Sequence, residues 1–299
     1  MVTFIVRLTG GLGNQMFQYA LARSLAKKYN ARLKLDISYY HNQPHKDTPR
    51  TFELNQLCIV DNILNSSSFS EKFLYIYDKL RVKLSKKISL PYFRNIVTPV
   101  NFNCIDFAED KDYYFLGHFQ ELSNIYSIDE SLRSEFKPNQ EIMNLAHQSK
   151  IYELIKQSRG SVALHIRRGD YVTNKNAAEH HGVIGLSYYV NALSYLENVS
   201  EFFDVFVFSD DPEWARKNIK NSRNLFFCDE GNCRYSKKYS TIDMYLMSQC
   251  DHFIIANSTY SWWAAWLGNY PSKHVVAPAR WNANNSPYPI LQNWKAIHE

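Results

Sequence analysis

Residues 162–170 of the chain read Val-Ala-Leu-His-Ile-Arg-Arg-Gly-Asp, an apolar run that ends in two arginines, a glycine and an aspartate. Its first five residues are typical of a strand that is buried on both faces, as the strands of parallel sheets are. The surrounding segments alternate between strand and helix patterns: predicted strands cover 205–208, 225–227, 252–256 and 274–277, and predicted helices cover 188–196, 212–218, 241–249 and 261–267. This alternation predicts a parallel α/β sheet with helices on both faces.

Charged and hydroxyl-bearing side chains stand where three of these predicted strands end. Because the carboxyl ends of parallel strands share one edge, where α/β proteins bind ligands, we expect these side chains to lie close together. They are His165, Arg167, Arg168 and Asp170 at the first strand, Ser209, Asp210 and Asp211 at the second, and Asn257, Ser258 and Thr259 after residues 252–256. Arginines, carboxylates and hydroxyl groups on one edge are what a nucleotide diphosphate requires.

Each of these motifs also has a purely structural interpretation. The planar guanidinium groups of Arg167 and Arg168 can grip a pyrophosphate bidentately, or they can form a salt bridge between domains. Asp210 can accept the ring N–H and amino donors of guanine, whereas Asp211 is favoured as the N-cap of the helix that follows. The hydroxyl groups of residues 257–259 can cap the next helix, or the free N–H groups of that helix can bind an anion.

A second strand–loop–helix unit opens the chain. Residues 4–8 form a predicted strand, the loop reads Gly10-Gly11-Leu12-Gly13-Asn14-Gln15, a helical pattern follows, and another strand covers 31–36. A dinucleotide-binding fingerprint would need a third glycine at position 16, where this chain has Met16, and no P-loop lysine follows. The loop is therefore either a tight turn that lets the backbone and Asn14 approach a bound group or a simple connection between strand and helix.

The length and composition set the broad class of protein. With 299 residues we expect two globular domains, 1–150 and 151–299. The net charge of +5 suits an anionic ligand but not nucleic acid, and the aromatic share of 15% suits stacking on sugars as well as core packing. The five cysteines show no zinc-like pairing, which predicts free thiols without a metal or disulfides.

Two segments bear on the location of the protein. The apolar run at the N-terminus is too short for a signal peptide or a membrane anchor, which predicts a cytoplasmic protein. In the basic stretch from Lys79 to Arg94, charged residues alternate with apolar ones. This stretch can lie at the inner face of a membrane beside a lipid-linked acceptor, or it can form a solvated helix face, so we expect peripheral membrane contact at most.

Taken together, five stretches resemble the α-1,2-fucosyltransferases of glycosyltransferase family 11. They are residues 10–18, 117–120, 165–170, 208–214, and 257–263 together with Asp243. The resemblance implies an α/β, GT-B-like fold of two Rossmann-type domains whose parallel sheets face a central cleft. It also implies GDP-fucose as the donor, the 2-OH of a galactose in an oligosaccharide as the acceptor, inversion at the transferred sugar, and no cofactor or obligatory metal.

The resemblance further implies roles for single residues. Arg167 would contact the diphosphate, Asn14 would lie near the sugar and the reacting oxygen, and Asn257–Thr259 would help to hold the phosphates. The catalytic candidates are therefore Arg167 and Asn14, and the candidates for binding GDP-fucose are Gly11, Gly13, Asn14, Gln15, His165, Arg167, Arg168, Asp170, Ser209, Asp210, Asn257, Ser258 and Thr259. Asp36, His118 and Glu121 are candidate general bases.

Two alternative functions stay open on the sequence. One is an inverting transferase of similar architecture that uses another nucleotide sugar, and the other is a carbohydrate-binding protein in which the arginine motif is structural. A preference for GDP over UDP and ADP separates the fucosyltransferase from the first alternative, and any nucleotide affinity separates it from the second.

Overall fold

A computed structural model describes residues 2–41, 43–44, 48–59, 62–63, 95–99, 102–105, 107, 111–174, 178–179, 182–220, 223–229, 233, 239–282 and 289–298. The chain divides into two compact units. The first comprises Met1–Phe52 and Ile59–Leu132, and the second comprises Glu53–Cys58 and Arg133–Glu299. The basic stretch between residues 79 and 94 lies outside the described residues, so its two interpretations stay predictions.

The first unit is built on a parallel sheet. Its strands are β1 (Thr3–Arg7), β2 (Arg32–Asp36), β3 (Asn62–Ile63), β4 (Asn95–Val97) and β5 (Tyr113–Phe115), in the order β3-β2-β1-β5-β4. Its helices are α1 (Leu12–Lys28), α2 (Ser38–His41) and α3 (Leu122–Tyr126), and α4 (Asp129–Glu135) crosses from this unit into the second along the chain.

Aromatic side chains fill the core around the central strand β1. Phe4 is fully buried, and its ring meets those of Tyr113 and Phe115 edge to face at centroid distances of 5.7 and 5.6 Å. Such edge-to-face pairs add to the free energy gained from burying the rings. The centre of the sheet is thereby fixed, and the loop between β1 and α1 leaves the sheet at its carboxyl edge.

The second unit is built on a larger parallel sheet. Its strands are β6 (Ser161–Ile166), β7 (Asp204–Ser209), β8 (Leu225–Cys228), β9 (His252–Ile254), β10 (Val275–Pro278) and β11 (Lys295–Ile297), in the order β11-β10-β9-β6-β7-β8. Its helices are α5 (Gln140–His147), α6 (Lys150–Gln157), α7 (Gly169–Thr173), α8 (Leu186–Val199), α9 (Pro212–Asn218), α10 (Ser240–Ser248) and α11 (Thr259–Leu267).

Strand β6 lies inside this sheet between β9 and β7, and every residue of it is buried. This explains why the sequence of β6 is apolar without alternation. Tyr188 of α8 is also fully buried, and its hydroxyl donates hydrogen bonds to the carbonyl oxygens of Ile255 (2.7 Å) and Val276 (3.1 Å). Helix α8 is thereby tied to the sheet near the carboxyl end of β9.

The structure confirms the α/β, GT-B-like class with two Rossmann-type units, and each strand predicted in the second half is present. The predicted pattern did not include the last strand, β11. The compact units part between Leu132 and Arg133, whereas the sequence placed the domain boundary at residues 150 and 151. Helix α5 packs against α10 and buries Ile142 and Ala146, so the polar segment before residue 150 belongs to the second unit.

Hydropathy along the helices bears on membrane contact. Among the helices that the structure describes, none combines the length and the apolar character that a membrane-spanning helix needs.

Candidate active site

The residues His165–Asp170, which we call the arginine junction, connect the central strand β6 to α7. The guanidinium of Arg167 contacts two carboxylates there: Nη2 lies 2.5 Å from Oδ1 of Asp170, and Nη1 lies 2.8 Å from Oδ2 of Asp210. Burial alone would favour the neutral form, but Asp210 and Asp170 together hold the pKa of Arg167 above its ordinary value. Arg167 is therefore a fixed positive charge whose side chain keeps 19% of its surface exposed.

The glycine of the junction makes room for one of these carboxylates. A Cβ atom at Gly169 would lie 2.6 Å from Oδ2 of Asp210, which is closer than carbon and oxygen atoms approach. Oδ1 of the same carboxylate accepts a hydrogen bond from the backbone N–H of Arg168 at 2.8 Å. The sequence Arg-Arg-Gly-Asp therefore lets Asp210 hold both the backbone of the junction and the guanidinium of Arg167.

Arg168 points to different partners. Its Nε lies 3.2 Å from Oδ2 of Asp211, and its guanidinium carbon lies 4.1 Å from the centre of the Trp214 ring. Asp211 also accepts a hydrogen bond from the backbone N–H of Trp214 at 3.1 Å, which confirms the predicted N-cap of α9. Oγ of Ser209 accepts from the backbone N–H of Asp211 at 3.0 Å. Arg168 and Ser209 thus fasten the start of α9 to the edge of the sheet.

His165 lies at the carboxyl end of β6 with only 6% of its surface exposed. Burial, and to a smaller extent the charge of Arg167, lowers its pKa to about 3, so the imidazole is neutral at physiological pH. Its ring centroid lies 5.6 Å from that of Tyr260, and Nδ1 has no hydrogen-bond partner within the described part of the chain. A buried polar atom of this kind is suited to meeting a ligand.

The residues Asn257–Thr259 stand where β9 leads into α11, at the same edge of the sheet as the arginine junction. Tyr171 links the two, because its ring centre lies 5.4 Å from the guanidinium carbon of Arg167 and its hydroxyl donates to the carbonyl oxygen of Asn257 at 3.3 Å. Ser258 occupies the N-cap position of α11 but makes no side-chain capping bond. Three tryptophans of α11 are buried and pack in the core of the unit: Trp262, Trp263 and Trp266.

The residues Gly10–Gln15, which we call the glycine junction, connect β1 to α1 in the first unit. Gly10 has a φ of +75°, a backbone conformation that favours glycine, and Gly11 precedes the first turn of α1. The side-chain amide of Gln15 is buried and donates to the carbonyl oxygens of Gly10 (3.1 Å) and Thr51 (2.8 Å). Gln15 therefore holds the loop to the backbone of Gly10 and Thr51, and its part in donor binding stays a prediction.

Asn14 keeps part of its surface exposed in the same junction. Its Oδ1 accepts a hydrogen bond from Nε2 of Gln120 at 3.5 Å. Gln18, which the sequence analysis did not single out as a site residue, donates from its amide to Oγ1 of Thr9 (2.9 Å) and to the carbonyl oxygen of Gly117 (3.1 Å). These amides fix the segment 117–120 beside the glycine junction, so two of the motifs behind the family resemblance lie together within one unit.

The three candidate bases differ in their surroundings. The carboxylate of Asp36 is buried and already accepts hydrogen bonds from the hydroxyl of Tyr114 and from the backbone N–H of Ser38 (2.8 Å). His118 is exposed and Glu121 is partly exposed. Accessibility therefore favours His118 and Glu121 over Asp36 for proton transfer with a bound molecule.

The sequence did not single out two tyrosine side chains near the arginine junction. Tyr171 connects Arg167 to Asn257, and Tyr260 contacts His165. Tyr171 directly follows the motif that ends at Asp170, and Tyr260 lies within the stretch 257–263, in which the sequence analysis assigned a role only to residues 257–259. Both tyrosines stand one residue after the residues that were assigned a role at a strand end, near the start of the next helix. That position is the signal that could have identified them.

Comparison with known proteins places this chain in a family. The model of Glycosyl transferase family 11 matches residues 1–297. The chain is 38% identical over 300 residues to the O-antigen biosynthesis glycosyltransferase WbnK of Escherichia coli, covering 96% of this chain and 98% of that protein. It is 33% identical over 302 residues to an alpha-1,2-colitosyltransferase of Escherichia coli, covering 99% of each.

A solved structure shares the fold. The structure of a mutant of Arabidopsis thaliana FUT1 in complex with GDP matches with a TM-score of 0.54 at 11% identity, covering 92% of this chain and 70% of that one. Because the family model spans nearly the full length, the chain belongs to glycosyl transferase family 11 and is a glycosyltransferase.

Proposed function

We propose that the protein transfers fucose from GDP-fucose to the 2-OH of a galactose residue in a glycan, with inversion at the transferred sugar. The observation that carries the proposal is the arginine junction, which holds a permanently charged, partly exposed guanidinium at the carboxyl end of a central strand. Fucose and the α-1,2 linkage are supported by the motifs that resemble the α-1,2-fucosyltransferases. The linkage also stands in the name of the colitosyltransferase relative.

The chemistry requires a group that stabilises the departing nucleotide. As the acceptor oxygen attacks the anomeric carbon, the bond from that carbon to the β-phosphate oxygen breaks, and negative charge develops on GDP. The described contacts of Arg167 to Asp170 and Asp210 use two of its five N–H donors, which leaves others for a phosphate. A guanidinium that is already oriented costs little reorganisation in the transition state, so it can lower the barrier substantially.

The remaining candidate residues have different roles in binding the donor. We assign the backbone and side chains of Asn257, Ser258 and Thr259 to the phosphates, because the N-terminal end of α11 carries the positive end of the helix dipole. His165 contributes Nδ1, which has no hydrogen-bond partner among the residues that the structure describes, and Asp170 and Asp210 orient Arg167. Arg168 and Ser209 act indirectly by fixing α9, which differs from the direct donor contact expected from the sequence.

In this proposal the glycine junction positions the acceptor hydroxyl whose oxygen attacks the transferred sugar. Gly10, Gly11 and Gly13 let the backbone come close to a bound sugar, and Asn14, oriented by Gln120, would contact the acceptor hydroxyl or the transferred sugar. His118 and Glu121 are the candidates for taking up the proton from the acceptor, since the carboxylate of Asp36 is engaged. An oxocarbenium-like transition state needs only weak assistance from this base.

The acceptor and the conditions of the reaction complete the proposal. We propose a galactose-containing oligosaccharide, free or lipid-linked, in agreement with the O-antigen function in the name of WbnK. We also propose that transfer requires no cofactor and no divalent metal, because Arg167 and the start of α11 supply positive electrostatic potential to the leaving group. Turnover should then be equal with and without added Mg²⁺, and a rise on addition of Mg²⁺ would contradict this part of the proposal.

A second candidate donor comes from the comparisons. The relative named alpha-1,2-colitosyltransferase favours testing GDP-colitose, whose sugar lacks one hydroxyl group that fucose carries. A site that hydrogen-bonds the extra hydroxyl of fucose rejects the deoxy sugar by up to about 10⁴-fold, whereas a site shaped for the deoxy sugar discriminates far less. The ratio of kcat/KM for the two donors therefore decides between them.

Two measurements test the proposal. Calorimetry with GDP, UDP and ADP should show a clear preference for GDP, and incubation with GDP-fucose and a panel of galactosides, followed by linkage analysis, should give an α-1,2-fucoside. Tight binding of UDP or ADP in place of GDP would show that the donor is a sugar nucleotide other than GDP-fucose. Binding of glycans with no affinity for any nucleotide would instead favour a carbohydrate-binding protein.

A further inference from the structure

Three potential metal ligands of the second unit lie together away from the arginine junction. They are Cys228 at the end of β8, Cys233 in the connection that follows, and Asp243 in the first turn of α10. The two Sγ atoms and a carboxylate oxygen all lie within 4.8 Å of one another. None of these side chains has a part in the transfer reaction as derived above.

Two of the three groups already interact directly. The thiol of Cys228 donates a hydrogen bond to Oδ1 of Asp243 at 3.2 Å, and Sγ of Cys233 lies within 4.8 Å of both ligand atoms. Cys228 and Cys233 are buried, with 6% and 2% of their surfaces exposed. In addition, the backbone N–H of Cys233 donates to the carbonyl oxygen of Asp229 at 2.6 Å, which fixes the second thiol next to the end of β8.

We propose that Cys228, Cys233 and Asp243 bind a Zn²⁺ ion. Thiolates are soft ligands that select zinc over magnesium or calcium, and a carboxylate is a common additional ligand. In a tetrahedral zinc site the bond lengths of about 2.0 to 2.3 Å separate neighbouring ligand atoms by roughly 3.3 to 3.8 Å. The spacing of the three groups needs only small side-chain shifts to reach that geometry, and the fourth position would be open to water.

The surroundings allow the charge of such a site. Binding replaces the thiol protons of Cys228 and Cys233, which pass to the solvent, and two thiolates with one carboxylate around Zn²⁺ leave a single net negative charge. The place of Asp243 in the first turn of α10 lets the helix dipole stabilise the remaining negative charge.

The sequence gives little sign of this site. Cys228 and Cys233 form one close pair, but a second pair is missing, and Asp243 follows ten residues later as an ordinary helix residue. Only the tertiary fold of the second unit brings the carboxylate of Asp243 to the thiols. The inference does not rest on the proposed function, because a zinc ion here would support the β8–α10 connection whichever donor the enzyme uses.

Metal analysis of the full-length chain tests the proposal. After incubation with Zn²⁺ and removal of excess ion, the protein should retain about one equivalent of zinc, whereas incubation with Mg²⁺ should leave none. Replacement by Co²⁺ should produce the near-ultraviolet charge-transfer absorption of cobalt–thiolate bonds. A chain that retains no zinc, or a cobalt form without thiolate absorption, would overturn the proposal.

Variants separate this site from other cysteines. Cys228→Ser and Asp243→Asn should each weaken zinc affinity by about a hundredfold, because each removes one of three protein ligands. Cys250→Ser is the control for a buried thiol elsewhere in the unit, and Cys58→Ser is the control for an exposed one, and both should bind zinc as the parent does. Loss of zinc in either control with retention in Cys228→Ser would place the ion elsewhere and overturn the assignment. The cobalt spectrum of the parent chain gives a result even if a variant fails to fold.

Discussion

The glycine junction and the arginine junction occupy equivalent places in two different units. Each follows a strand from the interior of a parallel sheet and leads directly into a helix. In the glycine junction, side-chain amides donate hydrogen bonds to backbone groups, as Gln15 does to the carbonyl oxygen of Gly10. In the arginine junction, carboxylates hold guanidinium groups, as Asp210 does with Arg167.

The difference shows that the fold supplies the location of a site and the local residues supply its chemistry. A loop of glycines and amides can only control distance, because it carries no charge to offer. A loop of arginines and aspartates can stabilise a charge, and its rigidity follows from ion pairs. We therefore expect substitutions in the arginine junction to change catalysis through electrostatics, and substitutions in the glycine junction to change it through geometry.

The largest expected effect comes from Arg167→Ala. Removing a charge that stabilises the leaving GDP should lower kcat by on the order of a hundredfold or more, which is about 2.7 kcal/mol in the barrier. Arg167→Lys should recover only part of this loss, because lysine keeps the charge but cannot replace the forked contacts to Asp170 and Asp210.

Initial rates of GDP release with saturating acceptor provide the measurement. Circular dichroism of each variant serves as the control for folding. If Arg167→Ala retains the activity of the parent, the arginine junction is structural, and the electrostatic side of the comparison fails.

The second prediction uses pH to separate the two junctions. His165 is neutral when folded, with a pKa of about 3, whereas an unfolded histidine titrates near its ordinary value of 6.5. As pH falls below 6.5 the unfolded chain takes up a proton that the folded chain does not, so stability is lost progressively down to about pH 3. Between pH 7 and pH 5 this amounts to about 2 kcal/mol of unfolding free energy.

Comparison with His165→Asn isolates this contribution. The stability advantage of the parent over the variant should shrink by that amount between the two pH values, as measured by denaturant unfolding. The glycine junction contains no titratable side chain, so a substitution there should change stability equally at both pH values. An imidazole signal of His165 that titrates near pH 6.5 in the folded protein would contradict the prediction.

Much of the second unit could be predicted from the sequence because its strands are apolar and its helices are periodic. The rule that parallel strands present their carboxyl ends at one edge also placed His165, Arg167 and Asn257 together correctly. What the pattern could not show is how a side chain is used. Asp210 looked like a base-recognition residue, yet both of its oxygens contact the arginine junction.

The sequence pattern also could not predict which unit each segment of the chain belongs to. Residues Glu53–Cys58 belong to the second unit although they lie far from it in sequence. Their attachment depends on tertiary contacts: Oγ of Ser240 donates to Glu53 and Oγ1 of Thr241 donates to Gln56, each at 2.5 Å. These partners are 187 and 185 residues apart, and no local periodicity encodes such pairing.

The third prediction concerns geometry in the glycine junction. A Cβ atom in Gly10→Ala would lie 2.7 Å from Nδ2 of Asn14, and alanine would have to adopt a φ of +75°. We expect Asn14 to move and kcat/KM to fall by about tenfold, since small displacements of positioning groups are costly.

Gly11→Ala is the comparison within the same junction, because in our proposal its added Cβ atom can hinder only the approach of the bound sugar and leaves Asn14 in place. This Cβ atom would meet Arg50 at 3.9 Å, which is ordinary van der Waals contact, and the φ of Gly11, −81°, suits any residue. The ratio of kcat/KM between the two variants reports on the strained glycine alone. Equal activities would show that the position of Asn14 does not matter for transfer.

The smallest expected effect is that of Arg168→Lys, and it tests whether the two arginines of the junction have separate roles. Arg168 stacks on Trp214 and pairs with Asp211, the cap of α9, so its loss should lower the unfolding free energy by about 1 kcal/mol. Turnover at saturating substrate should change less than threefold, because the charge that faces the leaving group in our proposal belongs to Arg167. A double-mutant cycle with Trp214→Leu should show coupling between the two side chains in stability, as contacting residues do. If Arg168→Lys instead lowers kcat as strongly as Arg167→Ala, both arginines act on the diphosphate, and the ion pair to Asp211 must open when the donor binds.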